Sequence, residues 1–406
     1  MISQPQPLGI FPFPAGQLLL PDVGDRDRAL ADAARTDLMA GRTPTVWPAE
    51  WATFAHALAG DRDAALAAAQ ADASIIGAYN RFVLDGDAHA LATVHASADP
   101  TLEALASLAA YVQGQTDDPP SPEGLTGELR ANVLLAQAAA AMERHDNALA
   151  ARSLDQAVAA AEPASPLLAA ILLSQRASLP ASASEQEACW RRALALAADS
   201  PLPGLLADLR FGLAVLLHQQ ADTDRSKLVE AVQLYQLALQ AGITREERPE
   251  LWAQIQSNLG LAFVSMPMSD AGAKLRHAVA IQAFREALHV YTRDTHPDAW
   301  ASTMLNMANA MQYLPSSHPR ENLMDAVTAY EELLSVRTRA HDPLGYARIL
   351  ANQGTALAHL GIFAPATEKL TEAHKLLHWY NEADAADQLL HQLEAINVQL
   401  AAAEAS

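Results

Sequence analysis

Thr244-Arg-Glu-Glu-Arg-Pro249-Glu-Leu-Trp252, Thr292-Arg-Asp-Thr-His-Pro297-Asp-Ala-Trp300 and Thr338-Arg-Ala-His-Asp-Pro343-Leu-Gly-Tyr346 are three copies of one phrase, T-R-x-x-x-P-x-x-aromatic. They begin 48 and then 46 residues apart, and an asparagine stands six positions after each aromatic, at Asn258, Asn306 and Asn352. Chance does not produce four matched columns three times over. A period of this length marks a stack of one supersecondary unit. The proline belongs at the first turn of a helix, where its missing N–H costs nothing and its fixed φ suits the helix. The aromatic three residues on is expected to face inward and staple one unit to the next.

A second helix follows in each unit. It reads Ala231-x3-Tyr235-x2-Ala238, then Ala280-x3-Phe284-x2-Ala287, then Ala326-x3-Tyr330-x2-Leu333. Spacings of four and three place those residues on one helical face. The small residue admits the neighbouring helix and the aromatic fills the groove beside it. The first helices carry their own columns: Asn258-Leu-Gly260-x2-Phe263, Asn306-Met-Ala308-x2-Met311 and Asn352-Gln-Gly354-x2-Leu357.

This pattern resembles the tetratricopeptide (TPR) repeat, whose first helix bears a small residue and whose second bears A-x3-F-x2-A. An ordinary TPR puts twelve residues between the small residue and that alanine, and Gly354 to Ala366 keeps this count, as does Ala138 to Ala150. Gly260 to Ala280 is twenty and Ala308 to Ala326 is eighteen. Those units therefore have lengthened turns, through Met266-Pro267-Met268 and Pro315-Ser316-Ser317. A further unit precedes them, with Gly212 leading to Ala231. The long-turn form is similar to arrays in bacterial proteins often fused to caspase-like CHAT peptidase domains, and no such domain is present here.

The resemblance implies an all-α solenoid of helix-turn-helix repeats. Residues 204–378 form the regular array and 381–402 a capping helix with Leu389, Leu393, Ile396 and Leu400 on its apolar stripe. Upstream lie degenerate repeats at 25–115 and 125–200, divided by a Pro-rich hinge at 116–124. Helices are expected there at about 25–40, 47–59, 63–79, 86–96, 100–113, 166–178 and 185–198. Residues 1–24 form a Pro-rich apolar arm, in which Ile10-Phe11-Pro12-Phe13 is too apolar to lie in water without a surface.

Composition excludes several function classes. Half the chain is apolar but only 5% is aromatic, and its net charge is −20, so the basic stripe of a nucleic-acid binder is missing. The apolar N-terminus has no basic n-region, and prolines at 5, 7, 12, 14 and 21 break it. No run of about 18 apolar residues suggests a membrane span. A cytoplasmic protein is the simple expectation. Cys189 is the single cysteine and reads as a small buried hydrophobe. His374 and His378 stand four apart, with His391 thirteen further on, but no carboxylate completes a metal motif. No P-loop, dinucleotide fingerprint or nucleophile motif occurs, so neither catalytic residues nor a cofactor are implied.

What remains is the groove. By the resemblance, it is lined by Gln254, Ser257 and Leu261, then Ser302, Leu305, Asn309 and Gln312, then Arg348, Ala351 and Thr355. Such a wall is polar and nearly uncharged, which suits hydrogen bonding to an extended or helical peptide. Candidate partner-binding residues are Gln254, Asn258, Asn306, Asn309, Arg348 and Asn352. The aligned asparagines either meet a ligand or bridge adjacent helices. Arg348 is either neutralised by an acidic neighbour or kept for an acidic group on the partner. The expected function is a non-catalytic scaffold or adaptor for a protein or peptide. A receptor for a small peptide or effector, and an assembly subunit of a larger complex, are the alternatives.

Overall fold

A computed structural model describes residues 2–221, 224–266, 272–313 and 318–404, apart from the side chains of Pro203 and 400–404. The turn residues Pro267-Met268 and Pro315-Ser316-Ser317, and the side chain of Leu400, lie outside the described residues. Among those described the regular structure is helical, with no strand, and successive helices pack on one another as an α-solenoid. No helix there is long and apolar enough to cross a membrane.

The chain divides into two compact units, residues 1–217 and 218–406. The first holds α1 (Arg28–Met39), α2 (Ala52–Leu58), α3 (Arg62–Ala71), α4 (Ile75–Asp85), α5 (Ala88–Ala96), α6 (Pro100–Val112), α7 (Gly127–Glu143), α8 (Asn147–Ala161), α9 (Pro166–Ser178) and α10 (Ala183–Leu196). The division falls within α11 (Pro203–Gln219). The second holds α12 (Arg225–Leu239), α13 (Pro249–Val264), α14 (Ala273–Leu288), α15 (Pro297–Tyr313), α16 (Pro319–Leu334), α17 (Pro343–His359), α18 (Phe363–Trp379) and α19 (Ala383–Glu404).

Each repeated phrase opens a helix. Pro249, Pro297 and Pro343 are the first residues of α13, α15 and α17. Ahead of them the main chain turns at the threonine, whose carbonyl accepts from the N–H of Arg248, His296 and Asp342 in turn. Part of the acidity is spent on caps. Asp61, Asp87, Asp99, Asp146 and Asp342 each accept main-chain N–H groups at the start of a helix, where a carboxylate also meets the positive end of the helix dipole.

The second-helix columns are the core of the array. Ala231, Tyr235 and Ala238, Ala280, Phe284 and Ala287, Ala326, Tyr330 and Leu333, and Ala366, Leu370 and Ala373 are all fully buried. The small residue of the first helix is there for clearance. A Cβ on Gly260 would lie 2.8 Å from the Phe284 ring, and one on Gly354 would lie 2.7 Å from Leu370. Of the stapling aromatics Trp300 is buried, while Trp252 and Tyr346 are partly so.

One expected helix divides. In place of a single helix over 63–79, α3 stops at Ala71 and α4 starts at Ile75. Asp72 accepts from the Ser74 N–H, and Ser74 Oγ accepts from the Gly77 N–H. Two short polar side chains thus compete with the helix and restart it. The Pro-rich segment 116–124 lies inside the first unit and is tied to α7, with Gln137 donating to the Pro120 carbonyl and Arg130 to that of Pro122.

Candidate functional site

In the first unit α2, α4, α7 and α9 carry the N-terminal arm. Gln17 gives its carbonyl to Tyr79 Oη at 3.0 Å, and Pro21 gives its carbonyl to Trp51 Nε1 at 2.9 Å. Asn80 accepts from the Leu19 N–H and donates to the Leu19 carbonyl, both at 2.9 Å. Glu128 accepts from the Gln6 N–H at 2.7 Å. Phe11 meets Phe54 edge to face, and Gly9 sits close to Asn132 and Leu168. Leu8, Ile10, Phe11 and Leu18 to Leu20 are buried in the core of this unit. Ile10 and Phe11 therefore find the surface they require on their own chain, whereas Pro12 and Phe13 of the same segment stay exposed. Burial pushes the Glu128 carboxyl up, against the hydrogen bonds that favour its anion.

In the second unit α13, α15, α17 and α19 stand side by side in a row. Side chains join each helix to the next. Ser257 Oγ lies 3.1 Å from Thr303 Oγ1, Asn352 Nδ2 donates to Asn309 Oδ1 at 2.9 Å, and Thr355 Oγ1 donates to Gln392 Oε1 at 3.0 Å. Asn309 and Thr355 hold the same repeat position, three residues after the aligned asparagine, and each reaches forward to the following helix.

Asn309 has a second donor. Tyr330 Oη stands 2.7 Å from Asn309 Oδ1 and 2.8 Å from Gln312 Oε1. One phenolic proton cannot serve both, and Gln312 Nε2 is buried without a partner. Half a turn of the Gln312 amide lets its Nε2 donate to the tyrosine oxygen, and leaves an acceptor rather than a donor in the buried position without a partner. The chain then runs Gln312 to Tyr330 to Asn309, with Asn352 meeting Asn309 from the other side. Burial holds the Tyr330 phenol well above its usual range, so it stays a donor.

The candidate residues thus separate. Asn309 and Asn352 come together as a strut between α15 and α17. Asn258 donates to the Gln254 carbonyl of its own helix at 2.9 Å, and Asn306 is half-buried. Of the expected wall, Gln312 and Thr355 are buried, while Gln254, Leu261, Ser302 and Arg348 are exposed. Arg348 lies 3.4 Å from Glu382, with the two side chains 64% and 39% exposed. That neighbour precedes α19 and is not on a second helix. The residues missed in the sequence are Thr303, Gln392 and Glu382, which lie one repeat away from the partners they hold. His374 Nδ1 lies 3.0 Å from the Ala386 carbonyl, so that ring is engaged with the start of α19. No protein-family model matches this chain, and no curated protein matches it.

Proposed function

We propose that this chain is a non-catalytic cytoplasmic adaptor of the tetratricopeptide type, which takes a protein or peptide along α13, α15 and α17. One observation carries the reading. In the first unit helices grip non-helical main chain of the arm through side chains such as Asn80 and Glu128. The second unit sets α13, α15 and α17 side by side and leaves Gln254, Ser302 and Arg348 exposed on them, as polar side chains that could serve main chain in the same way. Side-chain amides and hydroxyls with the guanidinium of Arg348, and that of Arg337 which donates to Ser302 at 3.4 Å, suit main-chain groups with an occasional acidic side chain. The net charge of −20 argues against nucleic acid and favours a neutral or basic partner surface.

The test is purification of the tagged protein from its native host, followed by mass spectrometry and binding of the captured partner to a Gln254→Ala, Arg348→Ala double variant. The adaptor reading requires weaker capture with unchanged thermal unfolding. Capture at full strength would move the binding face away from these helices.

A further inference from the structure

A cavity of about 620 Å³ opens in the first unit between the arm, α1, the start of α9 and the end of α10. Small-molecule pockets span about 300–1,000 Å³. Asp32, Arg35, Thr36 and Met39 of α1 line it, and their spacing of three and four sets them on one helical face. Met39, Leu167 and Leu196 give it an apolar side, and Ala195 and Asp199 are exposed at its mouth.

Arg35 is the group that this site leaves unspent. Its side chain is only 14% exposed, and its Nε is buried without a hydrogen-bond partner. The guanidinium is fixed 5.4 Å from the centre of the Trp51 ring. Asp32 comes no closer than 3.9 Å, beyond the about 2.7–2.9 Å of a charge-assisted hydrogen bond. Arg42, also on the lining, is by contrast engaged by Asp37 at 2.8 Å. Glu128 also acts on Arg35 through its charge, but the two make no ion pair or hydrogen bond among the described residues. The guanidinium thus brings its charge to the lining of the cavity with no carboxylate in close contact, and a carboxylate placed there would supply the missing ion pair through the terminal nitrogens.

We propose that this cavity binds a small amphipathic carboxylate, with its head group on Arg35 and its apolar body along Met39, Leu167 and Leu196. The site lies wholly in the first unit and does not depend on the adaptor reading. The probes are decanoate, decanol and decyltrimethylammonium, titrated calorimetrically into the full chain. Decanoate should bind in one equivalent and about tenfold or more tighter than decanol, the difference made by a charged hydrogen bond. The cation should not bind.

Arg35→Gln should bring decanoate down to the level of decanol. Because Arg35 also stacks on Trp51, two substitutions at exposed positions separate binding from folding. Asp32→Asn removes the competing carboxylate and should tighten decanoate severalfold. Ala195→Trp should block the mouth and abolish binding with thermal unfolding unchanged. Failure of decanoate to bind, equal binding of decanol, binding of the cation, or an affinity indifferent to both Arg35→Gln and Asp32→Asn would overturn the proposal.

Discussion

Asn80 holds Leu19 by both of its main-chain polar groups, receiving the N–H and serving the carbonyl at 2.9 Å each across 61 residues of sequence. Both residues are buried, so neither main-chain group has water as an alternative. Asn80→Leu keeps the volume and removes both bonds. Each orphaned group should cost about 1–3 kcal/mol. Hydrogen exchange at the Leu19 amide should rise by orders of magnitude, with the second unit unaffected. Retained protection at Leu19 would mean that the arm is held by its apolar side chains alone.

The contact between Gly260 and Phe284 makes a sharper test of the repeat register. The ring occupies the space of the missing Cβ, so Gly260→Ala should destabilise the second unit by about 1–3 kcal/mol through overpacking. Phe284→Ala should cost about 3–5 kcal/mol through the cavity it leaves. Combined, the two should cost less than their sum, because the new methyl enters space that the ring has vacated. Additive losses in urea denaturation would place the two residues apart.

His277, buried on α14 with Nδ1 unpartnered, has its pKa lowered by burial and then by the charge of Arg276. The sign follows from proton counting. Above the ordinary value of 6.5 neither state is charged and the group adds no pH dependence. As pH falls below it the unfolded chain takes up a proton that the folded one refuses, so stability drops until the folded histidine also titrates. Between about pH 7.5 and about pH 5 the parent should therefore lose more stability than His277→Leu. Parallel denaturation curves for the two proteins would rule this out.

The array is legible in the sequence because one physical demand recurs at fixed spacing. A helix of Ala-x3-aromatic-x2-Ala must bury that face, and a proline before each first helix marks where the chain restarts. The struts are not legible in the same way. Asn309 at its helical position could serve a groove or a neighbour, and the choice is made by Asn352, 43 residues away. The arm poses the same problem. Its apolar content shows that Ile10 and Phe11 need a surface, but the surface is chosen by Asn80, Tyr79 and Glu128, none of which stands out by type or spacing. The break at Asp72 to Ser74 was hidden by alanine, which keeps helical propensity high across a stop set by two side-chain hydrogen bonds.

Arg348 and Asn309 lie on neighbouring first helices, and their substitutions should fail in different ways. Asn309 Oδ1 takes donors from Tyr330 and Asn352, so Asn309→Ala leaves a buried phenol and an amide to find other partners. A loss of about 1–3 kcal/mol in the second unit is expected, and any loss of partner capture would follow from it. Among the described residues Arg348 meets only Glu382, at 3.4 Å and with most of its side chain in water. Exposed pairs of this kind contribute about 0–1 kcal/mol. Arg348→Ala should therefore leave urea denaturation nearly unchanged, and Glu382→Gln should free the guanidinium. If the groove reads an acidic group on its partner, Arg348→Ala weakens capture while Glu382→Gln strengthens it, both more steeply at low salt. If both variants bind as the parent does, Arg348 is no more than the partner of Glu382, and recognition rests on uncharged side chains such as Gln254 and Ser302.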